Sequence, residues 1–154
     1  MNIGIVGSRT FNDADLMDSV FRNIINANGI FLDTREYGIC KNDHITIISG
    51  GANGADKFAE KYIFQRYNTG ILIFRAEWDN IETDKPCKIK TNKYGNEYNC
   101  LAGFNRNEDI VINSDIIIAF WDGESFGTRD TINKANKKNK LLYIINYNNK
   151  VGSF

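Results

Sequence analysis

Short apolar runs alternate with amphipathic segments along most of the chain. The segments between the runs carry apolar residues at helical spacing, and Asp13 or Asp15 is placed to cap the first helix. Strands that alternate with helices indicate a parallel sheet covered on both faces, with right-handed crossovers. We therefore expect an α/β fold with a central, mostly parallel sheet of about five or more strands. The five runs of strand length are residues 3–6, 45–48, 71–74, 115–120 and 141–145.

Two segments interrupt this alternation. Residues 30–43 mix charges without a clear period, and residues 77–99 are polar, contain Pro86 and show neither helical nor strand periodicity. We expect an irregular connection in the first segment and a long loop in the second, and long loops in compact domains are usually functional or mobile. The length fits one domain with one core, so residues 1–154 are interpreted as a single domain.

Glycine-rich loops follow two of the predicted strands and lead into predicted helices. The first loop spans residues 49–56 and the second spans residues 121–128. Glycine lets the backbone approach a ligand closely, and the first N–H groups of a helix favour an anion. Because one helix end favours an anion by only roughly 0.3–1 kcal/mol, we expect the two loops to act together on a phosphate or ribose. The alternative is that each loop is a tight turn without a ligand.

Two arginines and two tryptophans lie where the ligand of such loops would be. Arg9 follows the first strand, and Arg106 lies off the apolar face of its helix. A guanidinium group there would hold phosphate, whereas an ion pair for Arg9 and solvent exposure for Arg106 are the alternatives. Trp78 and Trp121 come at or just beyond strand ends, where an indole would stack on a base or pack in the core. The Thr128 hydroxyl is placed to bind phosphate, to cap its helix, or to do both.

Charge and hydropathy bear on the partners of the protein. Nineteen basic and nineteen acidic residues cancel, so the chain has no net positive field to attract nucleic acid, and we do not expect nucleic acid as a partner. The apolar runs are too short to cross a membrane and the N-terminus has no signal pattern, so we expect a cytoplasmic protein. Frequent asparagine and isoleucine fit an AT-rich genome, and a phage-encoded protein would lie in the host cytoplasm.

The sequence gives little support for a metal site or a cofactor. The three cysteines, Cys40, Cys87 and Cys100, form no Cys-x-x-Cys pair, and His44 is the one histidine. Zinc sites usually need clustered ligands at short spacing. We therefore expect no metal, no cofactor and unpaired thiols.

Several motifs occur in an order that resembles a known protein family. The motifs are Gly7-Ser8-Arg9-Thr10-Phe11, the loop 49–56, Trp78, Ala102-Gly103 with Arg106-Asn107, and Ala119-Phe120-Trp121-Asp122-Gly123 with Ser125 and Gly127-Thr128. Together they resemble the YspA-like branch of the SLOG superfamily, over roughly residues 3–135. That superfamily also includes the LOG phosphoribohydrolases and the DNA-processing protein DprA. The resemblance implies a Rossmann-like, three-layer α/β/α fold that binds nucleotides or their derivatives, and it leaves the reaction open.

The comparison with LOG enzymes bears on catalysis. Those enzymes cleave a base from a nucleoside 5′-monophosphate with an arginine on a helix and a glutamate just after a glycine loop. Arg106 matches the arginine, but Thr131 stands where the glutamate would fall, and threonine supplies no carboxylate. Hydrolysis of the LOG type is therefore not expected unless Asp122, Glu124 or Asp130 substitutes. We favour binding of ligand hydroxyl groups by Asp122.

The preferred hypothesis is a protein that binds a nucleotide-derived small molecule for sensing or sequestration. The ligand would be ADP-ribose, an NAD-related molecule or a cyclic nucleotide. The first alternative is an N-glycosidase or phosphoribohydrolase with Arg106, Asp122 and Glu124 as catalytic candidates, and the second is a DprA-like binder of single-stranded nucleic acid. We also expect a homo-oligomer, as SLOG relatives often assemble. The predicted ligand-binding residues are Gly7, Ser8, Arg9, Ser49, Gly50, Gly51, Ala52, Asn53, Gly54, Asp56, Trp78, Arg106, Asn107, Trp121, Asp122, Gly123, Ser125, Gly127 and Thr128.

Overall fold

The structure, a computed structural model, describes residues 1–35, 37–38 and 40–148. Its strands are β1 (Asn2–Gly7), β2 (Asn42–Ser49), β3 (Thr69–Ile73), β4 (Ile89–Thr91), β5 (Glu97–Asn99), β6 (Ile116–Trp121) and β7 (Leu141–Asn146). Its helices are α1 (Ala14–Ala27), α2 (Ala55–Phe58), α3 (Gln65–Tyr67), α4 (Ala102–Asn113) and α5 (Phe126–Lys137). A π-helical segment, Ala59–Phe64, joins α2 to α3, so the three pieces form one continuous helix.

Five of the strands form one parallel sheet in the order β3-β2-β1-β6-β7. At its centre, Ile3 lies opposite Ile47 of β2 and opposite Ile116 of β6. The predicted α/β fold with a central parallel sheet is therefore confirmed. The chain runs outward from β1 to β3 and then returns to the other side of β1, so the strand order reverses between β1 and β6. Ligands of open α/β sheets bind at such a reversal, beyond the carboxyl ends of the strands.

Both faces of the sheet are buried under helices, because successive side chains of a strand point to opposite faces. On one face, Ile47 packs in a cluster that includes Phe21 of α1. On the other face, Ile48 packs in a cluster that includes Ile110 of α4 and Ile132 of α5. The sheet is thus the middle of three layers, which explains why its inner strands are apolar without alternation.

The start of the first helix was predicted correctly from the sequence, whereas the structure of the segment 77–99 was not. The Asp13 Oδ1 atom accepts a hydrogen bond from the N–H of Leu16 at 2.9 Å, so Asp13 caps α1 as predicted. The segment 77–99, expected to be a loop, contains an antiparallel hairpin of β4 and β5, with Gly95 at φ 81° between the strands. Because β4 is exposed along its whole length, it carries no alternating apolar pattern that would mark a strand.

The described residues also bear on membranes, metals and thiols. No helix among them has both the length and the apolar character needed to span a bilayer. Nor do three or more of their His, Cys, Asp or Glu side chains cluster as ligands for a metal ion. Cys40, Cys87 and Cys100 are free thiols.

Candidate functional site

The candidate site lies at the carboxyl edge of the sheet, where the loops after β1, β2, β3 and β6 meet. A cleft of about 350 Å³ lies there, beside the reversal in strand order, and we call it the switch-point cleft. Both glycine loops and both predicted arginines reach this cleft. It is lined by Val6, Gly7, Arg9, Thr10, Ala52, Asp56, Arg106, Asn107, Ile110, Asp122, Ser125, Gly127, Thr128 and Thr131.

The first glycine loop is closed on its own aspartate. The Asp56 Oδ2 atom accepts hydrogen bonds from the N–H groups of Gly50 at 3.0 Å and Ala52 at 3.2 Å. The N–H of Gly51 donates to the Ser49 Oγ atom at 3.1 Å. The loop therefore does bind an anion, but that anion is a side chain of the protein itself.

Asp56 is an unusual carboxyl group because it is almost completely buried. Only 4% of its surface is exposed. Burial disfavours the charged form and raises the pKa of Asp56 to about 6, although the N–H of Ala52 and the nearby charge of Arg106 act in the opposite direction. The group therefore takes up a proton close to neutral pH, as functional carboxyl groups in clefts often do.

Arg106 is held in place between the two loops. Its Nη1 atom donates to the carbonyl oxygen of Gly50 at 2.7 Å, and its Nε atom donates to Asn107 Oδ1 at 3.0 Å. The Asn107 amide in turn donates to the carbonyl oxygen of Gly127 at 3.2 Å and to Asp130 Oδ2 at 3.0 Å. These bonds connect the first glycine loop through α4 to the start of α5, so the position of the guanidinium group is fixed before any ligand binds.

Arg9 and Arg75 complete a group of three arginines with Arg106. All three line a second cavity, of about 240 Å³, which adjoins the switch-point cleft and which we call the arginine cavity. Burial lowers the pKa of Arg106, the nearby Asp56 raises it, and the nearby Arg9 lowers it. The ion pairs found in the described part of the chain include none of these three arginines. Positive charge thus accumulates here, and a bound anion would relieve the repulsion.

Arg75 is not among the predicted site residues. It lies two positions beyond β3, at the same edge of the sheet as Arg9, and its Nη1 atom lies 3.1 Å from where a Cβ on Gly51 would be. The position just after a predicted strand was the signal that could have identified it, since the same reasoning identified Arg9. What the sequence did not reveal is that the first glycine loop and α4 both come close to the end of β3.

The second glycine loop also closes on an aspartate, but it leaves the start of its helix open. The Asp122 Oδ1 atom accepts hydrogen bonds from the N–H groups of Ser125 at 2.7 Å and Glu124 at 2.9 Å. Burial raises the pKa of Asp122, but these hydrogen bonds outweigh it and hold the pKa below its ordinary value. Ser125 caps α5, and its Oγ atom accepts a hydrogen bond from the N–H of Thr128. Open space lies where a Cβ on Gly127 would be.

The catalytic candidates differ in whether they line the switch-point cleft. Thr131 lines the switch-point cleft, and its hydroxyl donates to the carbonyl oxygen of Gly127 at 3.2 Å, so the position of the LOG glutamate does reach the cleft. Glu124 is exposed and does not line the cleft. Asp122 lines it, with one carboxylate oxygen committed to its own loop.

Some of the predicted residues hold the loops together. A Cβ on Gly7 would lie 2.3 Å from the carbonyl oxygen of Phe120, and a Cβ on Gly54 would lie 2.3 Å from that of Ser8. Ser8 is buried, and its Oγ atom accepts a hydrogen bond from the N–H of Asp122 at 3.1 Å. These close approaches join the loops after β1, β2 and β6, and so they shape the cleft.

The two tryptophans have different surroundings. Trp78 is 44% exposed, lines the arginine cavity and packs over Gly103, where an added Cβ would lie 3.2 Å from the indole. Trp121 packs against the apolar cluster under α4 and α5, and its Nε1 atom donates to the carbonyl oxygen of Ser125 at 3.2 Å. Trp78 thus keeps a place where an indole can stack on a ligand, whereas Trp121 is a packing residue. The predicted residues that line neither cavity are Ser8, Ser49, Asn53, Gly54, Trp121 and Gly123.

Comparisons with known proteins found little similarity. No family model and no curated protein matches the chain. The chain is similar to a solved structure of DNA processing protein A from Helicobacter pylori, described for its single-stranded DNA binding mode, with a TM-score of 0.49 and 19% identity. The similarity covers 94% of this chain and 64% of that protein, so this chain spans less than two thirds of its length. Membership of the YspA-like branch stays a prediction from the motifs.

Proposed function

We propose that the protein binds a phosphate-bearing, nucleotide-derived small molecule in the switch-point cleft and the arginine cavity, for sensing or sequestration. The observation that carries the proposal is the convergence of Arg9, Arg75 and Arg106 on adjoining cavities at the carboxyl edge of the sheet. Guanidinium groups bind phosphate through paired, charge-assisted hydrogen bonds. ADP-ribose, an NAD-related molecule or a cyclic nucleotide would supply such a phosphate.

Separate parts of the site would hold separate groups of the ligand. The phosphate lies between Arg9 and Arg106, the two guanidinium groups that line both the switch-point cleft and the arginine cavity. Asp122 accepts hydrogen bonds from ribose hydroxyl groups in the switch-point cleft, and Trp78 forms part of the wall of the arginine cavity. The ligand is thus recognised by its charge and by its hydroxyl groups.

In this proposal the first glycine loop has a supporting role. Its N–H groups at Gly50 and Ala52 already bind Asp56, so they do not hold the ligand phosphate directly. The loop instead places the carbonyl oxygen of Gly50 where it accepts a hydrogen bond from Arg106. The guanidinium group so anchored makes the contact to phosphate.

The proposal is tested by isothermal titration calorimetry with AMP, ADP-ribose and NAD. If the guanidinium groups contact phosphate, Arg9→Ala and Arg106→Ala each weaken binding by about 1.5–3 kcal/mol, or roughly 10- to 150-fold. Arg22→Ala is the matched control, because Arg22 lies on α1 and lines neither cavity. Lack of binding at millimolar concentrations of these ligands, or unchanged affinity in both variants, would overturn the proposal.

One observation favours cleavage of the ligand as a second candidate function. Asp56 is a buried carboxyl group in the cleft whose pKa of about 6 suits a general acid or base. The candidate reaction is hydrolysis of an N-glycosidic bond, in which the hydroxyl of water bonds to the sugar carbon and the bond to the base breaks. The proton of water goes to the departing adenine of AMP, whereas with NAD the nicotinamide leaves neutral and the proton is released to solvent. Chromatography of AMP and NAD after incubation with the protein tests it. Base release that Asp56→Asn abolishes, with binding retained, supports the reaction, and the lack of any release excludes it for these substrates.

Single-stranded nucleic acid is the remaining alternative. A net charge of zero gives the protein no overall field for a polyanion, and so we expect no binding. A gel shift with single-stranded DNA at low and high salt tests this expectation. A salt-sensitive shift would overturn it.

A further inference from the structure

A third cavity lies at the carboxyl end of β3, outside both glycine loops. It measures about 360 Å³, and we call it the β3 cavity. Its lining combines the apolar side chains of Ile73 and Phe74 with polar and charged side chains, which include Arg75, Glu77, Asn80, Lys85, Asn105 and Asp109. The cavity is therefore suited to a polar organic group that also has an apolar face.

The three cavities form a row along the edge of the sheet. The arginine cavity shares Arg9 and Arg106 with the switch-point cleft, and it shares Arg75 and Arg106 with the β3 cavity. Their order follows the strand order, from β6 and β1 through β2 to β3. Because Arg106 lines all three, a ligand bound at this guanidinium group has a cavity on either side of it.

We propose that the ligand has two polar organic ends joined by a diphosphate, with the diphosphate in the arginine cavity and one end in each flanking cavity. This inference rests on the proposed function. Small-molecule pockets measure roughly 300–1,000 Å³. The flanking cavities, at about 350 and 360 Å³, are at the lower end of that range, so each suits one half of such a ligand.

The charge of the arginine cavity fits a diphosphate. Arg9, Arg75 and Arg106 bring three positive charges to its lining, and the carboxylate of Asp56 faces the N–H groups of its own loop. A diphosphate offers two negative charges and oxygen atoms on two phosphorus centres, so more than one guanidinium group can make paired hydrogen bonds with it. A single phosphate would leave one end of the row unused.

The β3 cavity offers acceptors for the second end of the ligand. The Asn80 amide nitrogen donates to Glu77 Oε2 at 3.0 Å, and the Asn105 amide nitrogen donates to the carbonyl oxygen of Pro86 at 2.8 Å. These bonds hold the amide groups by their nitrogen atoms, and no residue of the described chain donates to their oxygen atoms. The two amide oxygens therefore suit the hydroxyl groups of a sugar.

The test compares a one-ended probe with a two-ended probe by isothermal titration calorimetry. AMP carries one nucleoside and one phosphate, whereas ADP-ribose adds a second phosphate and a second sugar. We expect ADP-ribose to bind at least 10-fold more tightly than AMP. Asn80→Trp places an indole at the exposed rim of the β3 cavity, and it reduces this preference to less than about 3-fold while the affinity for AMP stays unchanged. Asn23→Trp, at an exposed position of α1, is the matched control and keeps the preference.

The outcomes separate this inference from the proposed function. Equal affinity for the two probes, or a preference that Asn80→Trp leaves intact, overturns the two-ended ligand and leaves binding in the switch-point cleft standing. Lack of binding by both probes overturns the proposed function itself. Thermal melts of both tryptophan variants show that the fold is kept, so a lost preference is then assigned to the filled cavity.

Discussion

The two glycine loops follow one plan, but the pKa values of their aspartates are shifted in opposite directions. In each loop, one carboxylate oxygen accepts two backbone hydrogen bonds, at Asp56 in the first and at Asp122 in the second. At Asp56, burial outweighs these bonds and raises the pKa to about 6. At Asp122, burial also raises the pKa, but the hydrogen bonds outweigh it and the pKa stays below its ordinary value. Asp56 is buried, whereas Asp122 is half-buried and also interacts with the Ser8 hydroxyl, so burial and hydrogen bonding together set the direction of each shift.

The glycines of the two loops also differ in how closely other atoms surround them. Gly54 has φ 80° and touches the backbone of the loop after β1, so the first loop is tightly packed at this glycine. Gly127 has open space where a Cβ would be and lines the switch-point cleft. Gly54 thus belongs to the packed core of the site, whereas Gly127 lies on its accessible side. Five substitutions test this contrast.

The largest effect is expected from Gly54→Ala. An alanine there has an unfavourable positive φ, and its Cβ lies 2.3 Å from the carbonyl oxygen of Ser8, a backbone atom that cannot move away alone. We expect a loss of roughly 4 kcal/mol in the free energy of unfolding, from backbone strain and overpacking together. Urea unfolding followed by circular dichroism measures it. A loss below about 1 kcal/mol would show that the first loop is not tightly packed.

The second effect concerns the dependence of stability on pH. The pKa of Asp56 in the folded protein, about 6, lies above its ordinary value of 3.8, so the folded state binds this proton more tightly than the unfolded state. The resulting stability is fully present below about pH 4 and is lost as the pH rises through about 6, by up to about 3 kcal/mol. In Asp56→Asn this loss disappears, because the amide does not titrate. Urea unfolding at several pH values checks it, and parallel curves for the two proteins would contradict it.

Asp122→Asn is the control, because the pKa of Asp122 is shifted in the opposite direction. The pKa of Asp122 is lowered in the folded protein, so its contribution to stability is present above the ordinary pKa and is lost as the pH falls below it. The difference between wild type and Asp122→Asn should therefore change only at the acid end of the same titration. A change between pH 4 and 6 would remove the contrast between the loops.

A smaller effect is expected from Ser125→Ala. Ser125 is the N-cap of α5, and its hydroxyl accepts a hydrogen bond from the N–H of Thr128. Loss of an N-cap costs about 1 kcal/mol. Thermal unfolding measures the change, with Ser19→Ala at an exposed position of α1 as the control. Equal melting temperatures for the two variants would show that the cap contributes nothing.

The smallest change in stability is expected from Gly127→Ala, and its sign is positive. Alanine restricts the unfolded chain, and the open space accepts its methyl group, so we expect a gain of about 0.5 kcal/mol. Because Gly127 lines the cleft, the same methyl group should weaken ligand binding. Urea unfolding and calorimetry with ADP-ribose measure the two effects. Unchanged affinity would indicate that the ligand does not approach the second loop closely.

The fold was predictable from the sequence where burial left a pattern. Strands such as 45–48 are apolar because they are buried on both faces, and Asp13 marked the start of α1 because a capping carboxylate has a clear sequence position. The hairpin of β4 and β5 left no such pattern, because β4 is exposed along its whole length.

The candidate site was predictable in its location but not in its contacts. Arg9 and Arg106 were identified from strand ends and helix faces, and both line the switch-point cleft. Arg75 was missed although it follows a predicted strand; the packing of α4 and the first loop around the end of β3 is what places it in the arginine cavity. Asp56 was predicted to bind the ligand and lines the switch-point cleft; it also holds its own loop, a role that leaves no local sequence pattern.

By itself, the sequence determined the alternation of strands and helices and the presence of a glycine loop after each of two strands. These features are local, since apolar runs, glycines and capping residues act on their own neighbours in the chain. Only the tertiary structure decided what each loop binds, because the pKa of a carboxyl group depends on how deeply distant elements bury it. It also decided that Arg9, Arg75 and Arg106 meet, because these residues come from three separate parts of the chain that only the folded sheet brings together.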